Sequence, residues 1–521
     1  MKNIFLISFC IFLSFSVFAQ WTSVINPSSY STYGTDIFLD NQGNIYSLGH
    51  VFVNSTEKED VIIVKYTNTG TVLWTRIYGN SENSDKPSSA VVDADNNLIV
   101  VGTTTSSANG SDIMCLKYNS DGELIKTYVF DGTAHLDDSG ADIVIGESGN
   151  LYIGGTSRLV SQRAFVLIKT DSDLEEIWQK TQTSFYGADL RKIHFNPVTQ
   201  NVAITGNYTD WENFYLTAVV VYDKDGEKIF DEYYRTLDNR SSVAFDVIAN
   251  NDNSIFVCGY EANEESNLWD ALLIKYNSDG EVLWSKKVPA EALPAYFNSM
   301  IVDGSENIYL NGMNGQNTIT VKYDSEGNQT WLQTHTSKSG FSTVDTHESI
   351  KQSVDGDIFI TARNTAANGG GAMIVKYNNI GEHQWTQYYN GSTSQLDEPL
   401  SFCLDNSGNS YLIVNSRNSN YYFDMATVMF LNQSGQASPL FSVNDNLNIY
   451  PNPAETYCVV ENPLLTNSIL EIYSTDGKIV YKSEVGQGLN TISVQDLPSG
   501  MYFIKLKSDS ELYSTKFLIQ K

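Results

Sequence analysis

The sequence predicts an all-β protein: a β-propeller of eight four-stranded blades, seven if the eroded last repeat packs elsewhere, followed by a small Ig-like β-sandwich. Three observations predict it. A repeat of about 53 residues runs through the middle of the chain. Every repeat is punctuated by Asn/Asp-Gly turns between short alternating apolar runs. The last 75 residues drop the repeat and show their own strand-and-turn pattern.

The repeat is clearest at a glycine that closes an apolar run: Gly49, Gly102, Gly155, Gly206, Gly259 and Gly312, spaced by 53 residues except for one step of 51. Two further copies place Ala362 and Val414 there. A second run ends in Lys65, Lys117, Lys169, Lys275, Lys322 or Lys376, with Val221 and Met429 in the other two copies. Nine residues later stands Trp74, Trp178, Trp284, Trp331 or Trp385, with Phe230 and Lys126 as exceptions. Each unit therefore reads as two hairpins, strands a–b and c–d, joined by turns such as Asp40-Asn41-Gln42-Gly43 and Thr67-Asn68-Thr69-Gly70, which tolerate positive φ. Four strands in about 50 residues is the period of a propeller blade. A β-helix needs a much shorter period and a string of sandwiches roughly 100 residues each.

The ends of the array predict ring closure. Trp21 stands 23 residues before Asn44, as Trp74 stands 23 before Asn97. Trp21–Ile25 thus reads as an orphan fourth strand, which the last repeat lacks. Closing the ring with it removes two sheet edges that would invite aggregation. The tryptophans read as apolar wedges between blades. The repeated lysines read as strand-face residues paired with Asp60, Asp112 and Asp270, five positions before Lys65, Lys117 and Lys275.

The repeat, with its Gly-Asn-aromatic strand, Lys-Tyr strand and Gly-x-x-x-Trp end, resembles the bacterial β-propeller repeat family over roughly residues 21–440. The Thr69-Gly70-Thr71-Val72-Leu73-Trp74 stretch is also similar to the tryptophan-docking turn of quinoprotein propellers, but the adjacent cysteines that commonly mark their quinone site do not occur.

Composition narrows the function. Formal net charge is −29, so nucleic acid and anionic lipid are poor partners. Cys115, Cys258, Cys403 and Cys458 share no repeat position and read as buried free thiols. Six scattered histidines give no zinc spacing, and no G-x-S-x-G or H-E-x-x-H is present.

Residues 1–19 read as a signal peptide: Lys2, an apolar run from Ile4 to Phe18, and cleavage after Ala19. The run of about 15 residues is short for the roughly 20 that span a bilayer, and no later segment suits a span, so no transmembrane segment is expected in the mature chain. The propeller is expected over 20–437 and a linker, where processing would occur, over 438–446. The segment 447–521 opens with Tyr450-Pro451-Asn452-Pro453, turns at Asp476-Gly477-Lys478 and closes with Leu497-Pro498-Ser499-Gly500-Met501-Tyr502. These three ordered motifs resemble the type A sorting domain of type IX secretion cargo. The resemblance implies the type IX machinery as partner, release or display at the outer-membrane cell surface, and frequent removal of the domain on arrival. The segment holds 8 acidic and 6 basic residues, so the acidity belongs to the propeller.

In a propeller the a–b and c–d turns share one face and the b–c and d–a loops the other. The first set is short and uniform and the second varies, which makes the second the candidate binding face. Asp85, Asp138, Asp189, Asp345 and Asp397 each lie 12 residues before strand b and could ring the channel mouth, holding a divalent cation, or could cap turns. Trp211 and Tyr215 (with Tyr208 and Phe214), Trp269 (with Tyr260), and Tyr421 and Tyr422 place aromatics on three b–c loops, suited to stacking on sugars or to a protein interface. The expected function is a non-catalytic glycan- or protein-binding or adhesion protein at the cell surface. The alternatives are a polysaccharide-degrading hydrolase or lyase with channel carboxylates, and a structural envelope protein.

Overall fold

The computed structural model describes residues 21–521 apart from 28–29, 53–57, 80–82, 107–109, 184–185, 237–239, 264, 267, 291–292, 316, 337–347, 367–368, 392–395, 433–441, 445–446, 448, 463–467, 475–478 and 508–510. The expected signal segment with Ala19, Asp345, and the turn Asp476-Gly477-Lys478 therefore lie outside the described residues. The chain divides into two compact units, residues 1–389 with 395–435, and residues 390–394 with 436–521.

The first unit contains eight four-stranded antiparallel sheets among the described residues, seven of them contiguous a-b-c-d meanders. The first blade is Thr32–Leu39, Ile45–Phe52, Glu59–Tyr66 and Val72–Tyr78. Strands b and c are apolar almost continuously because both their faces are covered by neighbouring blades: Val61 through Tyr66 are all buried. The outer strand d alternates between partly buried and exposed residues. Cores lie between blades rather than within them. One cluster joins Tyr46, Leu48, Val61 and Ile63 of the first blade to Val100, Met114 and Leu116 of the second. Cys115 and Cys258 are buried free thiols in such layers.

The eighth blade is composite. Its strands a to c are Asp397–Leu404, Ser410–Arg417 and Phe423–Phe430, and its fourth is Thr22–Ile25 from the other end of the chain. The register runs from Thr22 opposite Val428 to Ile25 opposite Met425. The first and eighth blades then pack together, with Gly34 N donating to Asn415 Oδ1 at 2.8 Å and the Ser47 and Thr427 hydroxyls 2.7 Å apart. The ring is closed by strand exchange between the termini of the array.

One contact recurs at several blade junctions, although Lys126 and Phe230 replace the tryptophan in the second and fourth blades and the Trp331 and Trp385 indole N–H groups have no partner among the described residues. The strand d tryptophan lies on the c–d turn of the next blade: Trp74 Nε1 donates to Ser120 O at 3.1 Å, Trp178 Nε1 to Lys224 O at 3.3 Å, and Trp21 Nε1 to Asn68 O at 3.0 Å. Trp21 thus performs across the closure what Trp74 performs between the first two blades. The indole needs a bare turn to lie on. A Cβ at Gly122 would stand 2.8 Å from the Trp74 ring, and one at Gly70 would stand 2.5 Å from Trp21.

The repeated lysine converges on the same turn. Lys65 Nζ donates to Ser120 O at 3.2 Å and Lys169 Nζ to Lys224 O at 2.6 Å. Its ionic partner is not the acid five residues earlier. On a strand an odd offset puts Asp60 and Lys65 on opposite faces. The acid comes instead from the a–b turn of the same blade: Asp40 at 3.0 Å from Lys65, Asp93 at 3.5 Å from Lys117, Glu147 at 2.5 Å from Lys169 and Asp357 at 2.7 Å from Lys376. Asp40 also accepts Gln42 N, Asn44 N and Asn44 Nδ2. Burial alone would raise its carboxyl, but Asn44 and Lys65 hold it below the usual carboxylate range.

The second unit forms two sheets. The five-stranded one runs Ser442–Asn444, Glu511–Ile519, Gly500–Lys507, Ser468–Ser474, Ile479–Val485, and the three-stranded one Ile449–Tyr450, Tyr457–Asn462, Gly488–Ser493. Between them lies one core that includes Val460, Leu470, Ile472, Ile504 and Phe517, as a β-sandwich requires. Asn452 Oδ1 accepts Leu518 N at 2.9 Å, and Tyr502 OH donates to Pro498 O at 2.9 Å, so two of the terminal motifs are structural ties. Pro451, Pro453 and Gly500 frame the same ends, next to Tyr450.

Gly43 and Gly122 share φ +78°, but a Cβ at Gly43 would meet nothing within 4 Å. Gly43→Ala should therefore cost about 1 kcal/mol, for the backbone alone. Gly122→Ala should cost about 1–3 kcal/mol more, because the Trp74 ring must move. Equal losses in chemical denaturation of the two variants would show that the tryptophan docking contributes nothing.

Candidate functional site

The channel is lined by strand a of each blade. In seven of the eight, a β-bulge interrupts the pairing with strand b, as between Gly34 and Asp36, Gly140 and Asp142, and Leu190 and Lys192. A bulge adds one residue and re-aims the side chain that follows it. The residues just past the bulges are Asp36, Ser89, Asp142, Lys192, Asp246, Ser299 and Ser401.

Side chains from several blades converge there. Lys192 Nζ lies 3.4 Å from Asp142 Oδ2 and 3.1 Å from Glu348 Oε1, and Glu348 also pairs with Lys351. These groups belong to the neighbouring third and fourth blades and to the seventh, which reaches them across the channel. Ser89 Oγ donates to Asp142 Oδ1 at 2.9 Å. Asp142 Oδ2 accepts Ile193 N and Asp246 Oδ2 accepts Met300 N, each from the following blade. Four carboxylates (Asp36, Asp142, Asp246, Glu348) face two ammonium groups (Lys192, Lys351), an imbalance of two negative charges.

Titration follows that imbalance. Burial, then the Glu348 charge, pushes the Asp36 carboxyl up to about 7. Burial pushes Asp246 up to about 6. Glu348 goes the other way, held well below the usual carboxylate range chiefly by the Lys351 charge. Burial would lower Lys192, but Asp142 and Glu348 hold it well above the ordinary lysine value.

Four of the five aspartates from the sequence lie among the described residues, and they have separate surroundings. Asp138 is buried and accepts Gly132 N at 2.6 Å and Arg158 N at 3.1 Å, which is a turn-capping arrangement. Asp397 is buried and accepts Ser416 Oγ at 2.6 Å. Asp85 is buried against Thr104 and beside Asp60, whose carboxyl burial and the Asp85 charge push up to about 6. Asp189 is half exposed, 3.4 Å from Arg191. Among the described residues, the group that could hold a cation is Asp138 with Asp112 and Asp131, whose carboxylate oxygens lie within 4.8 Å of one another.

The aromatics fall into two sets. Trp211 (67 % exposed), Tyr215 and Trp269 are exposed on the b–c loop side of the fourth and fifth blades. Trp269 stacks on Tyr260 with ring centroids 4.5 Å apart and planes 15° apart, and Phe245 continues the row from Tyr260 to Tyr296. Tyr208 instead turns inward onto Phe165. Tyr421 and Tyr422 are exposed on the eighth blade, Tyr421 under the Arg417 guanidinium and Tyr422 edge-on to Tyr30. Tyr33 packs on Phe423 and His50 beside them. That second set spans the ring closure. Its members stand some 390 residues apart in sequence, so only the closure itself could have revealed it.

Asp36 supplies a pH test. Its folded-state value near 7 means the folded chain holds a proton that the unfolded chain releases above about pH 4, so ionising it weakens the fold as pH rises between about 4 and 7. The Tm advantage of Asp36→Asn over the parent should therefore grow as pH rises from about 4 to about 7 and level off above that. A difference that does not change with pH would refute the buried-charge account.

Residues 448–520 match the family described as a secretion system C-terminal sorting domain. No curated protein matches the sequence. Among solved structures, the chain is similar to a catalytically inactive virginiamycin B lyase from Staphylococcus aureus with quinupristin, at 12 % identity and TM-score 0.36 over 79 % of this chain and all of that one. It is also similar to the β-propeller domain of the Trilobed protease from Pyrococcus furiosus, at 11 % identity and TM-score 0.39 over 68 % of this chain and 97 % of that one. Among the described residues no helix is long and apolar enough to cross a membrane. The C-terminal segment belongs to the type IX secretion sorting-domain family, and the chain is cargo destined for the medium or the cell surface.

Proposed function

We propose that the chain is a non-catalytic binding or adhesion protein whose propeller turns its b–c and d–a loop face toward an extracellular glycan or protein. The observation that carries this reading is the asymmetry of the two faces. The a–b turns are closed by their own hydrogen bonds, as Asp40 with Asn44 and Asp303 with Asn307, which leaves little to vary. The opposite face exposes Trp211, Tyr215, Trp269, Tyr421 and Tyr422. Large aromatics left in water are uncommon without a use and suit either sugar stacking or an interface anchor. The mature chain begins at Gln20 in this reading, and the sorting domain is trimmed within 438–446 after export.

A second reading is a polysaccharide hydrolase or lyase. It draws on the opposite displacement of Asp36 and Glu348, the kind of split that assigns an acid and a base.

The test uses protein purified from culture medium, with its termini fixed by intact mass. Glycan arrays and pull-downs should give a ligand lost in a Trp211→Ala, Trp269→Ala, Tyr421→Ala variant. Blank screens together with depolymerisation of a polysaccharide that Glu348→Gln abolishes would replace binding by catalysis.

A further inference from the structure

Beside the aromatic row, at the junction of the fifth and sixth blades, lies a cavity of about 300 Å³. That is the lower end of the range of small-molecule sites, roughly 300–1,000 Å³. Its walls include Pro289 and Ala290 from the d–a connection of the fifth blade, and Ile319 and Leu332 from strands c and d of the sixth. Asn314 and Thr334 supply polar groups.

Three properties restrict the occupant. No ionisable side chain is among the described residues that line the cavity, so this described lining holds no charged partner for a carboxylate, phosphate or ammonium group. The chain around it carries −29, which disfavours uronate or sulfated polymers. The lining mixes apolar walls with amide and hydroxyl groups. Asn314 Nδ2 donates to Pro289 O at 3.2 Å, while its Oδ1 is shielded and accepts no hydrogen bond from the described residues. A ligand rich in hydroxyl donors recovers that bond after a small turn of the amide.

The cavity also adjoins the stacked pair. Val288 lies opposite Ala271, two residues along the strand from Trp269, and Ala290 N donates to Asp270 Oδ1 at 2.9 Å. The wall of the cavity is thus tied to the residue next to Trp269.

Resting on the binding reading above, we infer that this cavity is a subsite for one neutral pyranose unit of a glycan, with the Trp269–Tyr260 pair supporting the neighbouring sugar. Ring hydroxyls meet Asn314 and Thr334, and the apolar ring face lies on Ile319 and Leu332.

Saturation-transfer NMR on the full-length mature protein tests this, using the methyl glycosides of glucose, galactose, mannose and N-acetylglucosamine, with glucuronic acid as the charged comparison. At least one neutral glycoside should show ring-proton saturation, and glucuronic acid none. Leu332→Trp, which fills the cavity, should abolish the signal, and the milder Thr334→Ala should weaken affinity by about 3-fold to 10-fold, the loss of one hydrogen bond. A sugar signal unchanged in both variants overturns the subsite while leaving glycan binding elsewhere on the face. No sugar signal at all overturns the inference, and a protein captured in the pull-down would then leave the broader binding reading in place.

Discussion

The fold depends on one contact that recurs at several junctions of the ring: an indole from the outer strand of one blade lying on the glycine-bearing turn of the next, joined at Ser120 and Lys224 by a buried lysine reaching the same turn carbonyl. At the first junction, Trp74 Nε1 and Lys65 Nζ both donate to Ser120 O. A turn carbonyl that receives two donors from the preceding blade fixes the distance and tilt between two sheets whose facing surfaces are otherwise mainly apolar. The lysine is held in turn by the acid of its own a–b turn, so the hairpin turns of two blades are linked through one ammonium group. Buried pairs of this kind lose much of their value if one member is removed, because the other is left charged without a partner.

This arrangement locates the variable part of the molecule. The uniform turn face is occupied by the docking contacts and by the self-bonded Asx turns. Insertions and aromatics can accumulate only on the opposite face, where loops change without disturbing the blade spacing. The channel is a third environment. There the strand a bulges turn acids and a lysine from several blades toward the axis, and burial, with the Glu348 charge second, holds the Asp36 carboxyl high.

Much of this was legible in the sequence, for definite reasons. The period, the two hairpins and the use of Trp21–Ile25 to complete the last blade follow from spacing alone, because each blade repeats the same local solution. The sandwich motifs were legible because their order is specific. The lysine partner was misread: proximity in sequence suggested Asp60, but strand alternation puts it on the other face and the turn acid Asp40 takes the place. The channel group was invisible. Asp36, Lys192, Asp246 and Glu348 look unrelated along the chain, and only bulges and ring closure bring them together. The proposed pyranose cavity was equally hidden, because Pro289, Asn314 and Leu332 come from three separate segments.

The account stands on a ring closed by its own N-terminal strand. Hydrogen–deuterium exchange of the mature protein measures this at residues 22–25, whose partners are Met425–Val428. If the closure is integral, those amides exchange as slowly as the rest of the eighth blade and open only with the whole propeller. Fast exchange at 22–25 beside a protected 423–430 would mean that the terminal strand is an accessory, and that the ring holds without it.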